Sequence, residues 1–199
     1  IDDLKGILNL HRTAKQDVRK GLKELLREGG LVRLSNNRYG LPDELNLEVG
    51  TLWCTKSGNG FVIPDKGREG DVFVPSRCIG NALHGDKVVV RIEHTSRGKK
   101  EGRIVRVAEH RMRNILGFLK QHKNFFFLIP EDDRISSHFL VESNSRMAKA
   151  RDGDLAACRI TRFPDDGGDP ECKVLKLFKG LNDVTSISQF TMYKHDLPL

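Results

Sequence analysis

The chain has 199 residues, a formal charge of +7, a pI near 9.3 and 31% charged residues. No apolar run approaches the roughly 20 residues of a membrane span and no signal-peptide pattern opens it, so a cytoplasmic protein without a membrane partner is expected. The excess of cations points to a polyanionic partner. Cys54, Cys78, Cys158 and Cys172 lie far apart without Cys-x-x-Cys spacing, which predicts buried free thiols rather than a zinc site or a disulfide framework. The chain begins at Ile1 rather than Met, as a fragment or processed piece would.

Leu4, Ile7 and Leu8 fall at helical spacing behind Asp2 and Asp3 and predict a short first helix. Thr13 and Gln16 form a capping-box pattern. Val18, Leu22, Leu25 and Leu26 then mark the apolar face of a second helix that should end at Gly29-Gly30. Lys15, Arg19, Lys23 and Arg27 recur every fourth residue on another face. Leu31–Leu34, the turn Ser35-Asn36-Asn37 and Arg38–Leu41 read as a β-hairpin. Helix, helix, hairpin is a winged-helix order, in which Lys15, Arg19, Lys23, Arg27 and Arg38 are candidate nucleic-acid contacts. A solvated basic face is the plain alternative. Pro42–Asn46 reads as a linker.

From about Gly50 the pattern turns to short strands: Leu52-Trp53-Cys54, Gly60–Pro64, Asp71–Pro75, Gly85–Ile92 and Gly102–Val107, with a basic hairpin at Arg97–Lys100. Five such strands suit an OB barrel. Alternation along a strand puts Phe61 and Ile63 on one face and Val62 on the other, and sets Phe73 against Val72 and Val74. A ring on each of two neighbouring strands, behind glycines that let the chain bend, makes a platform for unpaired bases. The pair resembles the two ribonucleoprotein-type motifs of cold-shock domains, with Asn59 where an aromatic is usual and Pro75 where a histidine is usual, so that this first platform is weakened by the resemblance. The pattern alone leaves open whether Phe61 and Phe73 are platform or core.

The plan then recurs. Phe127, Ile129 and Pro130 lie 66 residues beyond Phe61, Ile63 and Pro64, His138–Val141 supplies a partner strand, and Gly153–Ile160 repeats Gly85–Ile92 with Gly, Asp, Arg and Ile in matching places. A last strand runs through Cys172–Leu177. Tandem copies of one domain follow. Phe125 and Phe127 share a face, Phe126 should point inward, and Phe139 is the expected third ring of a second, stronger platform, with Lys120, His122 and Lys123 near enough for phosphate contacts. Ile187 and Phe190 suggest a short connector helix in 181–199.

The order of these parts, with Arg38–Pro42, Gly60–Pro64, Asp71–Pro75, His84–Val90 and the closing Tyr193–Pro198, resembles the N-terminal part of ribonuclease R-type members of the ribonuclease II family. The resemblance implies a mainly β chain: a winged helix over 1–45, a first cold-shock or OB domain over 46–110, a second over 111–180, and a linker over 181–199 leading to a catalytic domain beyond Leu199. It further implies 3′-to-5′ hydrolysis of RNA in that domain, with magnesium held there by aspartates and no cofactor in this chain. The adjacent pairs Asp2-Asp3, Asp132-Asp133 and Asp165-Asp166 sit in turn or cap contexts and read as structural, and the seven histidines show no metal spacing, so neither a catalytic nor a metal residue is assigned here. The expected partner is single-stranded RNA, held by Trp53, Lys56, Phe61, Phe73, Lys120, Lys123, Phe125, Phe127, His138 and Phe139, with structured RNA as a second partner for the winged helix, on a monomer. A stand-alone RNA chaperone with the same surface, and a winged-helix regulator of duplex DNA, are the alternatives.

Overall fold

The computed structural model describes residues 15–28, 30–33, 38–65, 70–163 and 168–178. The expected first helix, the Ser35–Asn37 turn, Asp165-Asp166 and the connector from Asn182 onward lie outside those residues.

Helix α1 (Lys15–Glu28) stops before the Gly29-Gly30 pair, as its sequence requires. Arg19, Lys23 and Arg27 are exposed along it, while Val18, Leu22 and Leu26 are half-buried. The chain returns as a minimal hairpin of β1 (Val32–Arg33) and β2 (Tyr39–Gly40), with Val32 opposite Gly40. Pro42–Leu45 is a 3-10 helix rather than a free linker. Leu45 packs with Val32, Leu47, Val49 and Val89, so this turn fastens the hairpin to the outer wall of the barrel that follows.

That barrel is closed, in the order β3 (Leu47–Cys54), β4 (Gly60–Pro64), β5 (Val72–Val74), β7 (Lys99–Glu109), β6 (Lys87–Ser96). The second repeats it strand for strand with β8 (Asn114–His122), β9 (Phe125–Pro130), β10 (Phe139–Val141), β12 (Glu171–Phe178) and β11 (Leu155–Arg162). In each, the third and fifth strands pair in parallel while the other pairs are antiparallel. Closure gives every barrel strand a neighbour on both sides.

The Gly-Asp repeat read in the sequence has a structural purpose. In the first copy Gly85, at φ +87°, donates to the Leu52 carbonyl, and the Asp86 carbonyl accepts from the Leu52 amide. In the second, Gly153 at φ +86° and Asp154 make the same pair of bonds to Leu119. Only a residue without a Cβ adopts that φ freely. Each aspartate also caps its own turn, from Leu83 N–H to Asp86 Oδ2 and from Arg151 N–H to Asp154 Oδ2, both at 2.8 Å. A further shared constraint escaped the sequence pattern. A Cβ on Gly50 or on Gly117 would stand 2.2 Å from the carbonyl oxygen of Ile63 or Ile129, so the first two strands of each barrel cross too closely for any side chain.

The cores differ in content. Leu52, Val62, Val72, Val74, Val88 and Val90 fill the first. Leu119, Leu128, Phe139, Val141, Ala156 and Cys158 fill the corresponding part of the second. All four cysteines are buried and free.

Candidate nucleic-acid interface

Strand register decides where the rings lie. Trp53 faces Phe61 across β3 and β4, and Phe61 faces Phe73 across β4 and β5. All three leave the barrel on the side opposite Leu52, Val62 and Val72, which are completely buried. The row is open to solvent: Trp53 is 50% and Phe61 36% exposed, and the Phe61 and Phe73 rings stand 5.5 Å apart at 55°. Phe61 and Phe73 are therefore wall residues and not core.

In the second barrel the same three places hold Lys120, Phe127 and Leu140. Phe125, opposite His122, adds a ring at the open end of β9 and is 59% exposed, while Phe127 is half-buried. Phe126 packs against the core from the other face. Phe139 does not join this surface. It pairs with Leu128, has no exposed area and belongs to the core, whereas Leu140 takes the place of Phe73. Side chains alternate with period two, so one residue of displacement in β10 relative to β5 turned the ring inward.

The cations are a mixed set. Lys56 is exposed and bound to Asp133 at 2.8 Å, and Lys120 to Asp152 at 3.1 Å. Lys123 is exposed in the β8–β9 turn at φ +53°, and His138 is exposed ahead of β10. Arg19, Lys23, Arg27 and Arg38 are exposed on α1 and at β2, while the side chain of Lys15 is outside the description. Asn59, at the place of a usual aromatic, fastens the loop before β4 by accepting from the Ser76 amide at 3.1 Å.

Sequence reasoning missed the junction between barrels. The turn after β9 carries Arg134 to within 5.4 Å of the Trp53 ring centroid, a cation–π contact. Asp132 holds that guanidinium through Nε at 2.9 Å and Nη2 at 2.7 Å and also accepts the Arg134 amide, bonds that pull the Asp132 carboxyl down to a pKa of about 2. His84 stands edge-on to Trp53 at 4.7 Å, and its Nδ1 accepts the Cys54 amide at 3.1 Å. Burial and then the Arg134 charge lower the His84 pKa, consistent with a neutral ring that accepts at Nδ1. Burial, followed by the Asp86 charge, raises the neighbouring Cys54 thiol to about 11 and leaves it unreactive. The one tryptophan of the chain is thus flanked by the histidine of its own barrel and the arginine of the next. No periodicity reports such a contact, because Trp53 sits on a strand and its partner Arg134 comes from an unpatterned turn 81 residues further on. Among the described residues no cluster of three or more His, Cys, Asp or Glu could hold a metal, and no helix is long and apolar enough to cross a membrane.

Known proteins share these parts. Residues 50–107 match the family model for the ribonuclease B OB domain and residues 127–199 that for the cold shock domain. Ribonuclease R of Thermotoga maritima is 35% identical over 188 residues, covering 94% of this chain and 26% of its own length. The chain therefore spans about a quarter of that relative. The solved ribonuclease R of Mycoplasma genitalium, in complex with ribose-methylated single-stranded RNA, superposes with a TM-score of 0.65 at 15% identity, over 75% of this chain and 24% of its own. Yeast Ssd1, a pseudonuclease, gives 0.65 at 14% identity over 78% of this chain and 25% of its own. With two matched domains, a relative aligned along nearly the whole sequence and the barrel pair itself, the chain belongs to the ribonuclease R family and corresponds to its N-terminal region.

Proposed function

We propose that this chain binds single-stranded RNA on the outer walls of its two barrels and presents it to the hydrolytic domain of a ribonuclease R-like 3′-to-5′ exoribonuclease. The observation that carries the reading is the solvent-facing row Trp53, Phe61 and Phe73, set at strand spacing on three neighbouring strands. Aromatic faces stack any base, so this surface favours capture without sequence readout, and each stacked base contributes roughly 1–3 kcal/mol. Phe125 and Phe127 extend the surface to the second barrel, with Lys120, Lys123 and His138 near its phosphates. Magnesium and the aspartates that hold it belong, on this reading, to the hydrolytic domain, and the exposed Arg19, Lys23, Arg27 and Arg38 form a winged-helix surface for structured RNA.

The fold is shared with a pseudonuclease, which gives weight to a second reading: RNA binding without hydrolysis, as a chaperone or regulator. Filter binding of poly(A) tests what both readings have in common. Replacing Trp53 and Phe61 together by Ala should weaken binding about thirtyfold, and unchanged affinity would remove the stacking surface. Hydrolysis of poly(A) from its 3′ end by the gene's full product, set against binding without hydrolysis, separates the two.

A further inference from the structure

A second built feature lies where the β1–β2 hairpin docks on the first barrel. Val32, Leu47 and Val89 make an apolar floor, and Arg33, Arg38, Arg91 and Arg106 surround a pocket of about 380 Å³ completed by Val105. Among the described residues no carboxylate lines it. A bulge aims the side chains. Val89 pairs with Arg106 and Val90 with Ile104, so β7 carries one residue more than β6 at this point. Ile104 and Val107 both pack on the barrel core, which leaves the consecutive Val105 and Arg106 together on the outer side, where regular alternation would turn one of them inward.

Arg106 is the unusual member. Its Nη2 is buried and has no hydrogen-bond partner. Burial, and secondly the charge of Arg33, lower its pKa. A guanidinium presents donors in a rigid planar fork, and a single fork nitrogen left buried and unmatched beside further cations costs free energy that an oxyanion would offset.

We propose that this pocket binds a phosphate group, with Arg106 and Arg91 as the barrel's donors and Arg33 and Arg38 adding charge from the hairpin. A phosphodiester of an RNA backbone and a free oligophosphate offer the same chemistry. The pocket stands on the wall made by β3, β6 and β7, whereas the rings stand on β3, β4 and β5, so the site is separate from the stacking surface.

Inorganic pyrophosphate and a 5′-hydroxyl U12 RNA are the probes, applied to the 199-residue chain. Pyrophosphate at saturation should raise the melting temperature by about 5 °C, and the rise should vanish in R91Q/R106Q. If the RNA backbone is the natural source, R91Q/R106Q binds U12 about tenfold more weakly with a salt slope smaller by about 1. The charge-matched control R159Q/K173Q on the second barrel should show less of either change. If a free phosphate compound is the source, U12 affinity matches the control while the pyrophosphate rise is still lost. Should R91Q/R106Q fold poorly, R91K/R106K keeps the charge, removes the fork and should show an intermediate loss. A pyrophosphate rise that survives the substitutions, or no rise together with U12 affinity equal to the control, overturns the site. W53A/F61A should leave the pyrophosphate rise intact, so failure of the stacking surface and failure of this pocket are told apart.

Discussion

The two barrels share one topology and one set of tight points, yet they divide their large side chains differently. In the first, rings stand outside at Trp53, Phe61 and Phe73 over a core of valines at 62, 72, 88 and 90. In the second, the places corresponding to those valines hold Leu128, Phe139, Ala156 and Cys158, and the outer row falls to Lys120, Phe127 and Leu140. Larger residues at two places are balanced by smaller ones at the other two, as close packing demands of a barrel whose frame is fixed. Closure and register constrain the inward positions jointly, while each outward position is free to vary alone. A repeated fold therefore need not repeat a binding surface, and the stronger aromatic row belongs to the first copy.

Truncating Phe73 on the wall of the first barrel and Phe139 in the core of the second makes the sharpest contrast. Phe139→Ala opens a cavity in a core with no solvent-exposed ring area and should destabilise the protein by about 3–5 kcal/mol. Phe73→Ala trims a half-buried wall residue and should cost about 1 kcal/mol of stability while weakening RNA binding. Urea unfolding of both variants measures the difference, and equal losses would contradict the assignment of faces.

Gly50→Ala and Gly117→Ala probe what the barrels have in common. Each forces a methyl group against a backbone oxygen at 2.2 Å, and each should cost about 3 kcal/mol. A large loss at one site with none at the other, read by thermal unfolding, would mean that the close strand crossing is not shared.

Much of this was legible beforehand because it rests on local rules. The period of two placed Phe61 and Phe73 on one side, the recurrence at 66 residues exposed the duplication, and Gly29-Gly30 set the end of α1. Phe139 failed for a definable reason. Matching ring to ring between β5 and β10 overlooked that Phe139-Leu140-Val141 puts its two flanking residues, not its middle one, where Val72 and Val74 point. Arg134 and Arg106 were invisible for another reason: one acts through a loop from the next barrel and the other through a bulge, and neither leaves a periodic trace.

The outer rows themselves can be ranked by binding. Trp53→Ala with Phe61→Ala removes two neighbouring rings and should weaken poly(A) binding about thirtyfold, while Phe125→Ala with Phe127→Ala should weaken it about fivefold to tenfold. Quenching of the one tryptophan on RNA addition reports the first surface directly, and should persist in the Phe125/Phe127 variant. Reversal of that ranking would return the principal platform to the second barrel.

The smallest effect concerns the turn that joins the two surfaces. Asp132 has its pKa lowered from 3.8 to about 2, chiefly by its bond to Arg134. A carboxyl whose folded pKa is depressed contributes stability above its unfolded pKa and loses it as pH falls through the folded value, here between about pH 4 and pH 2. The pair is roughly one-third exposed, so solvent screening limits the contribution to about 1 kcal/mol at most. Asp132→Asn should flatten the acid limb of the stability curve by that amount and free Arg134 from its place over Trp53, shifting the tryptophan emission at neutral pH. Because Arg134 comes from the second barrel and Trp53 from the first, an unchanged emission in Asp132→Asn would mean that the contact between them is held by the loop backbone and not by the carboxylate.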